Sequence, residues 1–187
     1  EAEFAAALVE CLSYVTSLGV KRVNVLPGRC FDESKCEQYL STFKRNLNTA
    51  AQMFKPLGIT VMFEAINTFD MPGFVIHNVD QMLEIVEDCE HENIKMQFDI
   101  YHMARMEEGD ISTIISRLGD KIGHVQFADA PGRGEPGTGD LDFKSIFYAI
   151  EYSTYEGWVS AEYKPTKYTE DTLRWKQFIT SSLAMCS

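Results

Sequence analysis

Basic residues are in short supply: 17 lysines and arginines stand against 28 aspartates and glutamates, for a formal charge of -11. That balance opposes counterion-release binding to a phosphate backbone, and no basic cluster relieves it locally, so nucleic acid is not an expected partner. Long apolar runs are missing too. None approaches the roughly 18 to 20 residues that a membrane helix requires, and the first residues lack the basic, apolar and small-residue succession of a signal sequence. The expectation is a soluble, cytoplasmic protein with no membrane partner. Cysteine is sparse and irregular: Cys11, Cys30, Cys36, Cys89 and Cys186 are odd in number, scattered, and free of any C-x-x-C spacing. This fits a reducing compartment rather than a disulfide framework, with the thiols buried. Nor does any strand-to-helix turn carry a glycine-rich dinucleotide or P-loop fingerprint.

What is present is one pattern repeated along 187 residues, of which 45% are apolar, enough for one sizeable core and a single domain over residues 1–187. Phe4, Leu8, Cys11, Leu12, Val15 and Leu18 recur at helical spacing and Gly19 follows them. A strand comes next, "VKRVNVL", closed by Pro27 and Gly28. Ser34 and Glu37 have the spacing of a capping box for a helix carrying Cys36, Leu40, Phe43, Leu47, Ala51 and Phe54, ended by Pro56 and Gly58. After the strand "ITVMFE", helices capped by Asn78, Asp110 and Asp142 alternate with "IKMQFD", "IGHVQFAD" and "GWVSAE". A last helix is expected from about Thr169 to Leu183, with Trp175, Phe178, Ile179 and Leu183 inward. Five strands, each followed by a helix, predict an α/β fold with a parallel sheet, either a (β/α)8 barrel or a doubly wound sheet. The missing fingerprints weaken the second. Segments after strands are long, as in "AINTFDMPGFVIH" and "ADAPGRGEPGTGDL", whereas those entering strands, "PLG" and "GDK", are terse. Barrel enzymes keep their chemistry on the loops that follow strands.

Four successive strands end on an oxygen-bearing side chain: Glu64 in "VMFEAIN", Asp99 in "MQFDIYH", Gln126 in "HVQFAD" and Glu162 in "VSAEYKP". In a parallel sheet these would converge on one rim, and a buried charge is tolerated when it coordinates a metal. Three carboxylates and one amide carbonyl form a hard set suited to Mg2+ or Mn2+ rather than to zinc. Each position alone also fits a helix N-cap or a rim salt bridge. His102, three residues past Asp99, reads either as a loop histidine or as a polar group aimed at a substrate oxygen. His124 shares a face with Gln126 and reads as a spare ligand or as an orienting donor behind the ligands. His77 and His91 fit a helix entry and a loop. Arg133, within the glycine-rich loop, is either a solvated turn residue or the best-placed cation for an anionic substrate.

"FEAIN" with "DMPGF", "FDIYHM", "GHVQFAD", "PGRGEPGTG" and "AEYKP" together resemble the hydroxypyruvate isomerase family, within the xylose-isomerase-like sugar isomerases and epimerases. The resemblance runs over nearly the whole chain. It implies a (β/α)8 barrel with one divalent metal at Glu64, Asp99, Gln126 and Glu162, Glu64 and Glu162 as the acid/base pair, and His102 on substrate oxygens. Ketose epimerases of the group have histidine where Gln126 stands, and an oxygen there shifts the site towards Mg2+. The implied reaction interconverts hydroxypyruvate and tartronate semialdehyde: a glutamate takes the proton from C3, an enediolate forms, and a proton returns at C2. Alternatives are a 3-epimerase of a ketose, a non-catalytic truncated barrel acting as a binding protein, and an endonuclease of the same group. The last would call for a histidine-rich multi-zinc cluster and a basic groove. A full barrel has eight strands, so by this resemblance the five units are expected to correspond to the C-terminal five-eighths of a barrel, without its first three units. Exposed strand edges in such a piece predict a homodimer or a swapped assembly.

Overall fold

The computed structural model describes residues 2–89, 91–106 and 109–177. The chain divides into two compact units, Glu1–Gln97 and Phe98–Ser187, the boundary falling inside a strand. Among the described residues no helix is long and apolar enough to cross a membrane.

The first unit opens with α1 (Ala2–Leu18), which buries Leu8 and Val15, seven residues apart on one stripe. Leu18 was expected on the same face but is exposed, because it is the last helical residue before the turn at Gly19. β1 (Arg22–Asn24) is shorter than the apolar run that predicts it. It pairs parallel with β2 (Thr60–Glu64) from Arg22 opposite Thr60 to Asn24 opposite Met62. Between them lies α2 (Cys36–Phe54), burying Phe43, Leu47, Ala50, Ala51 and Phe54 at helical spacing. The predicted capping box does not form. Asp32 accepts hydrogen bonds from the Ser34 amide at 3.2 Å and the Ser34 hydroxyl at 2.6 Å, starting a short 3-10 turn (Glu33–Lys35) that delivers the chain into α2. That hydroxyl is therefore engaged upstream. At the far end Pro56 sits in a second 3-10 turn closed by Gly58, whose φ of 65° is the left-handed conformation that glycine adopts without a side-chain clash.

β2 buries Val61, Met62, Phe63 and Glu64, as a parallel strand covered on both faces does. Phe63 meets Phe43 of α2 edge to face, ring centroids 6.0 Å apart. α3 (Val79–Asp88) starts as expected, with Asn78 accepting the Gln81 amide at 2.9 Å. It leads to β3 (Ile94–Asp99), paired parallel with β2 from Val61 opposite Ile94 to Glu64 opposite Gln97. The order within this unit is β1-β2-β3.

The second unit begins with the last two residues of β3 and runs directly into α4 (Ile100–Met106). That helix is absent from the sequence-based expectation, which treats the segment as loop. α5 (Ile111–Leu118) is capped by Asp110 and buries Ile111, Ile114, Ile115 and Leu118. β4 (Ile122–Phe127) and β5 (Val159–Ala161) pair parallel, Gln126 opposite Ser160. Between them α6 (Phe143–Glu151), capped by Asp142, packs Phe143, Ile146, Ala149 and Ile150 inward. Phe127 is the hub of an aromatic cluster, with centroid distances of 5.8 Å to Phe143, 5.3 Å to Phe147 and 5.2 Å to Trp175. Thr169–Thr172 is a 3-10 turn rather than the start of a regular α-helix, while Phe178, Ile179 and Leu183 lie outside the described residues. Of the cysteines, Cys30 is buried, but Cys11, Cys36 and Cys89 are only half-buried, and Cys186 lies outside the described residues.

Candidate active site

β2 ends on Glu64 in the first unit, as the sequence predicts, and the carboxylate is 6% exposed. Its Oε2 accepts the Asn24 amide from β1 at 3.0 Å and the Gln97 amide from β3 at 2.7 Å. The parallel register makes Gln97 the direct neighbour of Glu64. Two carboxamides from flanking strands thus fix the orientation of a buried acid and offset part of its desolvation.

In the second unit Asp99 closes β3 and is 1% exposed. Its Oδ1 accepts the amides of Tyr101 at 2.8 Å and His102 at 3.4 Å, so the strand-end carboxylate also opens α4. Its Oδ2 faces the imidazole of His102 and the guanidinium of Arg133, each at 3.8 Å. His102 is 3% exposed, in the first turn of α4 rather than in a loop. The other end of the cluster is Glu162, one residue beyond β5, whose amide continues the ladder by donating to the Phe127 carbonyl at 2.9 Å. Its side chain is 49% exposed and receives Arg133 Nη2 at 3.1 Å. One guanidinium therefore lies between Asp99 and Glu162, two carboxylates of the expected metal set. The two acids thus share one positive charge, supplied by the loop that follows β4. Gln126 and His124 are both half-buried on one face of β4, matching the alternation that predicts them.

Arg133 belongs to the loop "ADAPGRGEPGTGDL". It takes a left-handed backbone, φ 57°, and lays its guanidinium over the Tyr101 ring at 5.0 Å from the centroid. Further along, Glu135 accepts the amide of Thr166 at 3.1 Å as well as its hydroxyl. Desolvation would raise the Glu135 pKa, but these hydrogen bonds from Thr166 hold the carboxyl below its ordinary value.

Sequence reasoning missed three contributors: Gln97, Tyr101 and Asp129. Gln97 lies two residues before Asp99 on one strand and so shares its face, a signal legible from alternation alone. Asp129 is 1% exposed and accepts four loop amides, from Ala130 at 2.9 Å, Gly137 at 2.8 Å, Gly139 at 2.8 Å and Leu141 at 3.2 Å. Nothing in local spacing marks it, because three of its four partners come from the far end of the loop.

The family model of the xylose isomerase-like TIM barrel matches residues 1–177. The chain is 43% identical to hydroxypyruvate isomerase of Escherichia coli (strain K12) over 94% of its own length and 67% of that protein's. It is 34% identical to 2-oxo-tetronate isomerase of Cupriavidus necator, again over 94% of this chain and 67% of the relative. A crystal structure described as an AP endonuclease, family 2, from Brucella melitensis superposes with a TM-score of 0.90 at 32% identity, covering 95% of this chain and 68% of that one. The chain thus spans about two thirds of the length of these relatives. With its parallel strands, the helices between them and a family match over nearly all of its length, the chain belongs to the xylose isomerase-like TIM barrel family.

Proposed function

We propose that the protein is an isomerase of 2-oxo acids that interconverts hydroxypyruvate and tartronate semialdehyde, using one divalent cation, Mg2+ or Mn2+, held by Glu64, Asp99, Gln126 and Glu162. Its similarity to proteins named hydroxypyruvate isomerase and 2-oxo-tetronate isomerase supports the reaction class. The observation that carries the substrate class is the Arg133 guanidinium, 3.1 Å from Glu162 and stacked on Tyr101. A fixed cation beside a candidate base suits a substrate whose carboxylate must be held while the neighbouring carbon loses a proton. A neutral ketose offers no such charge, which favours the 2-oxo acid over the epimerase alternative. The net charge of -11 argues against the nucleic-acid reading.

When bound, the cation supplies Lewis-acid stabilisation of negative charge developing on substrate oxygens. The chain's own residues do the rest. Glu162 and Glu64 form the proton-transfer pair: one removes the proton from C3, the same or the other glutamate returns a proton at C2, and the hydroxyl proton passes from the C3 oxygen to the C2 oxygen, so that the alcohol becomes the aldehyde and the ketone the alcohol. Gln97 and Asn24 keep the Glu64 carboxylate aimed. Arg133 orients the substrate carboxylate, and His102, held in the first turn of α4, hydrogen-bonds a substrate oxygen. The test is turnover of hydroxypyruvate against that of a free ketose such as fructose, for the wild type and for Glu162→Gln. The expected result is isomerisation of hydroxypyruvate only, lost by at least about 100-fold in the variant with an unchanged circular dichroism spectrum. Undiminished turnover by the variant would overturn the assignment.

A further inference from the structure

We propose that Asp129 is a positioning residue for anion recognition: its buried carboxylate ties the neck of the loop spanning residues 130–141 and so presents Arg133 to the carboxylate of a small 2-oxo acid. This rests on the functional reading above for its substrate class, but not for its geometry. The four amides that Asp129 accepts come from both ends of the loop, Ala130 on the way out and Gly137, Gly139 and Leu141 on the way back. Each carboxylate oxygen takes two of them, Oδ1 those of Ala130 and Leu141, Oδ2 those of Gly137 and Gly139. A carboxylate has enough lone pairs for all four, whereas an asparagine would turn an NH2 group towards two of the donors. Gly139 is part of the same fit, since a Cβ there would run into the Ala130 carbonyl and the Asp129 carboxylate.

The tip of the loop needs this support. A non-glycine residue at positive φ is costly, and Arg133 persists there because its neighbours dictate the backbone. The Asp129 amide donates to the Gly134 carbonyl at 2.9 Å, and the Lys164 amide donates to the Arg133 carbonyl at 2.7 Å. The side chain then extends between Glu162, Asp99 and the Tyr101 ring, with 23% of its surface left to solvent. Beside these acids the guanidinium is the side-chain cation that the loop offers to a substrate carboxylate, and Asp129 fixes its place without touching substrate.

The experiment is calorimetric titration of the full chain, at fixed Mg2+, with glycerate, a non-isomerising three-carbon hydroxy acid, and with glycerol as its uncharged counterpart. The variants are Asp129→Asn, Arg133→Gln and the double variant. Glycerate affinity is expected to fall about tenfold or more in each single variant, with the double variant no weaker than Arg133→Gln, because both substitutions remove one function. In parallel, Asp129→Asn should raise KM for hydroxypyruvate more than it lowers kcat. Unchanged glycerate binding in Asp129→Asn, losses that add in the double variant, or a wild type that does not bind glycerate would each overturn the proposal. If Asp129→Asn does not fold, Gly139→Ala is the second lever: the same loss of affinity is expected, and a folded Gly139→Ala that binds glycerate normally overturns the proposal. A wild type that binds glycerate through this pair but does not isomerise hydroxypyruvate would refute the proposed reaction and leave the positioning role standing.

Discussion

Gln97 sits directly opposite Glu64 across the β2–β3 ladder and donates to its Oε2 at 2.7 Å. The pair makes backbone register part of the acid's geometry. A one-residue slip would turn every side chain of one strand to the other face, so the same packing that fixes Val61 opposite Ile94 also delivers the amide to the carboxylate. Gln97→Met keeps a long side chain and removes that donor. It should cost about 1 to 3 kcal/mol in equilibrium urea unfolding, the range for depriving a buried carboxylate of a charge-assisted partner. A midpoint equal to that of the wild type would mean that the bond contributes nothing.

The proposed metal site has a readout independent of catalysis. A ligand that binds only the folded chain stabilises it by about 2.7 kcal/mol at one hundred times its dissociation constant. Titrating Mn2+ or Mg2+ should therefore raise the melting temperature of the wild type, and EDTA should reverse the shift. Asp99→Asn and Glu162→Gln should respond less or not at all. An equal shift in all three proteins would place the ion elsewhere.

The helix caps predict a pH dependence. Asp142 opens α6, and the Ser145 hydroxyl, followed by the Ser145 amide, holds its carboxyl below the ordinary value of 3.8. A carboxyl depressed in the folded state contributes stability that is present above its unfolded pKa and lost as pH falls through the folded one. Asp142→Ala should thus lower stability by about 1 kcal/mol at neutral pH. The gap from the wild type should narrow as the solution is acidified past that ordinary value. A gap constant from neutral pH down to strong acid would contradict the capping role.

Much of this was legible in the sequence, for identifiable reasons. Asn78, Asp110 and Asp142 are caps because a short polar side chain before a helical apolar stripe has one favourable use. Glu64 and Asp99 end their strands as read, since hydrophobic runs fix where burial stops. The capping box at Ser34 failed because Asp32, two residues earlier, competes for the same hydroxyl. α4 escaped notice because its seven residues are too few for periodicity to register, and Asp99, which opens it, also ends a strand. Asp129 was invisible for a different reason. Its worth lies in partners eight to twelve residues away that only a folded loop brings back, namely Gly137, Gly139 and Leu141.

A strap cinched at its base has consequences for how specificity can diverge. With both ends of the 130–141 segment gathered on one side chain, the stretch around Gly132 and Arg133 becomes an exchangeable cassette. Side chains there can be exchanged while the backbone bonds at Arg133 and Gly134 and the fastening beneath them keep their shape. On the proposed role of Arg133, new substrate preferences are reached by rewriting the crown of that strap, leaving the strands alone.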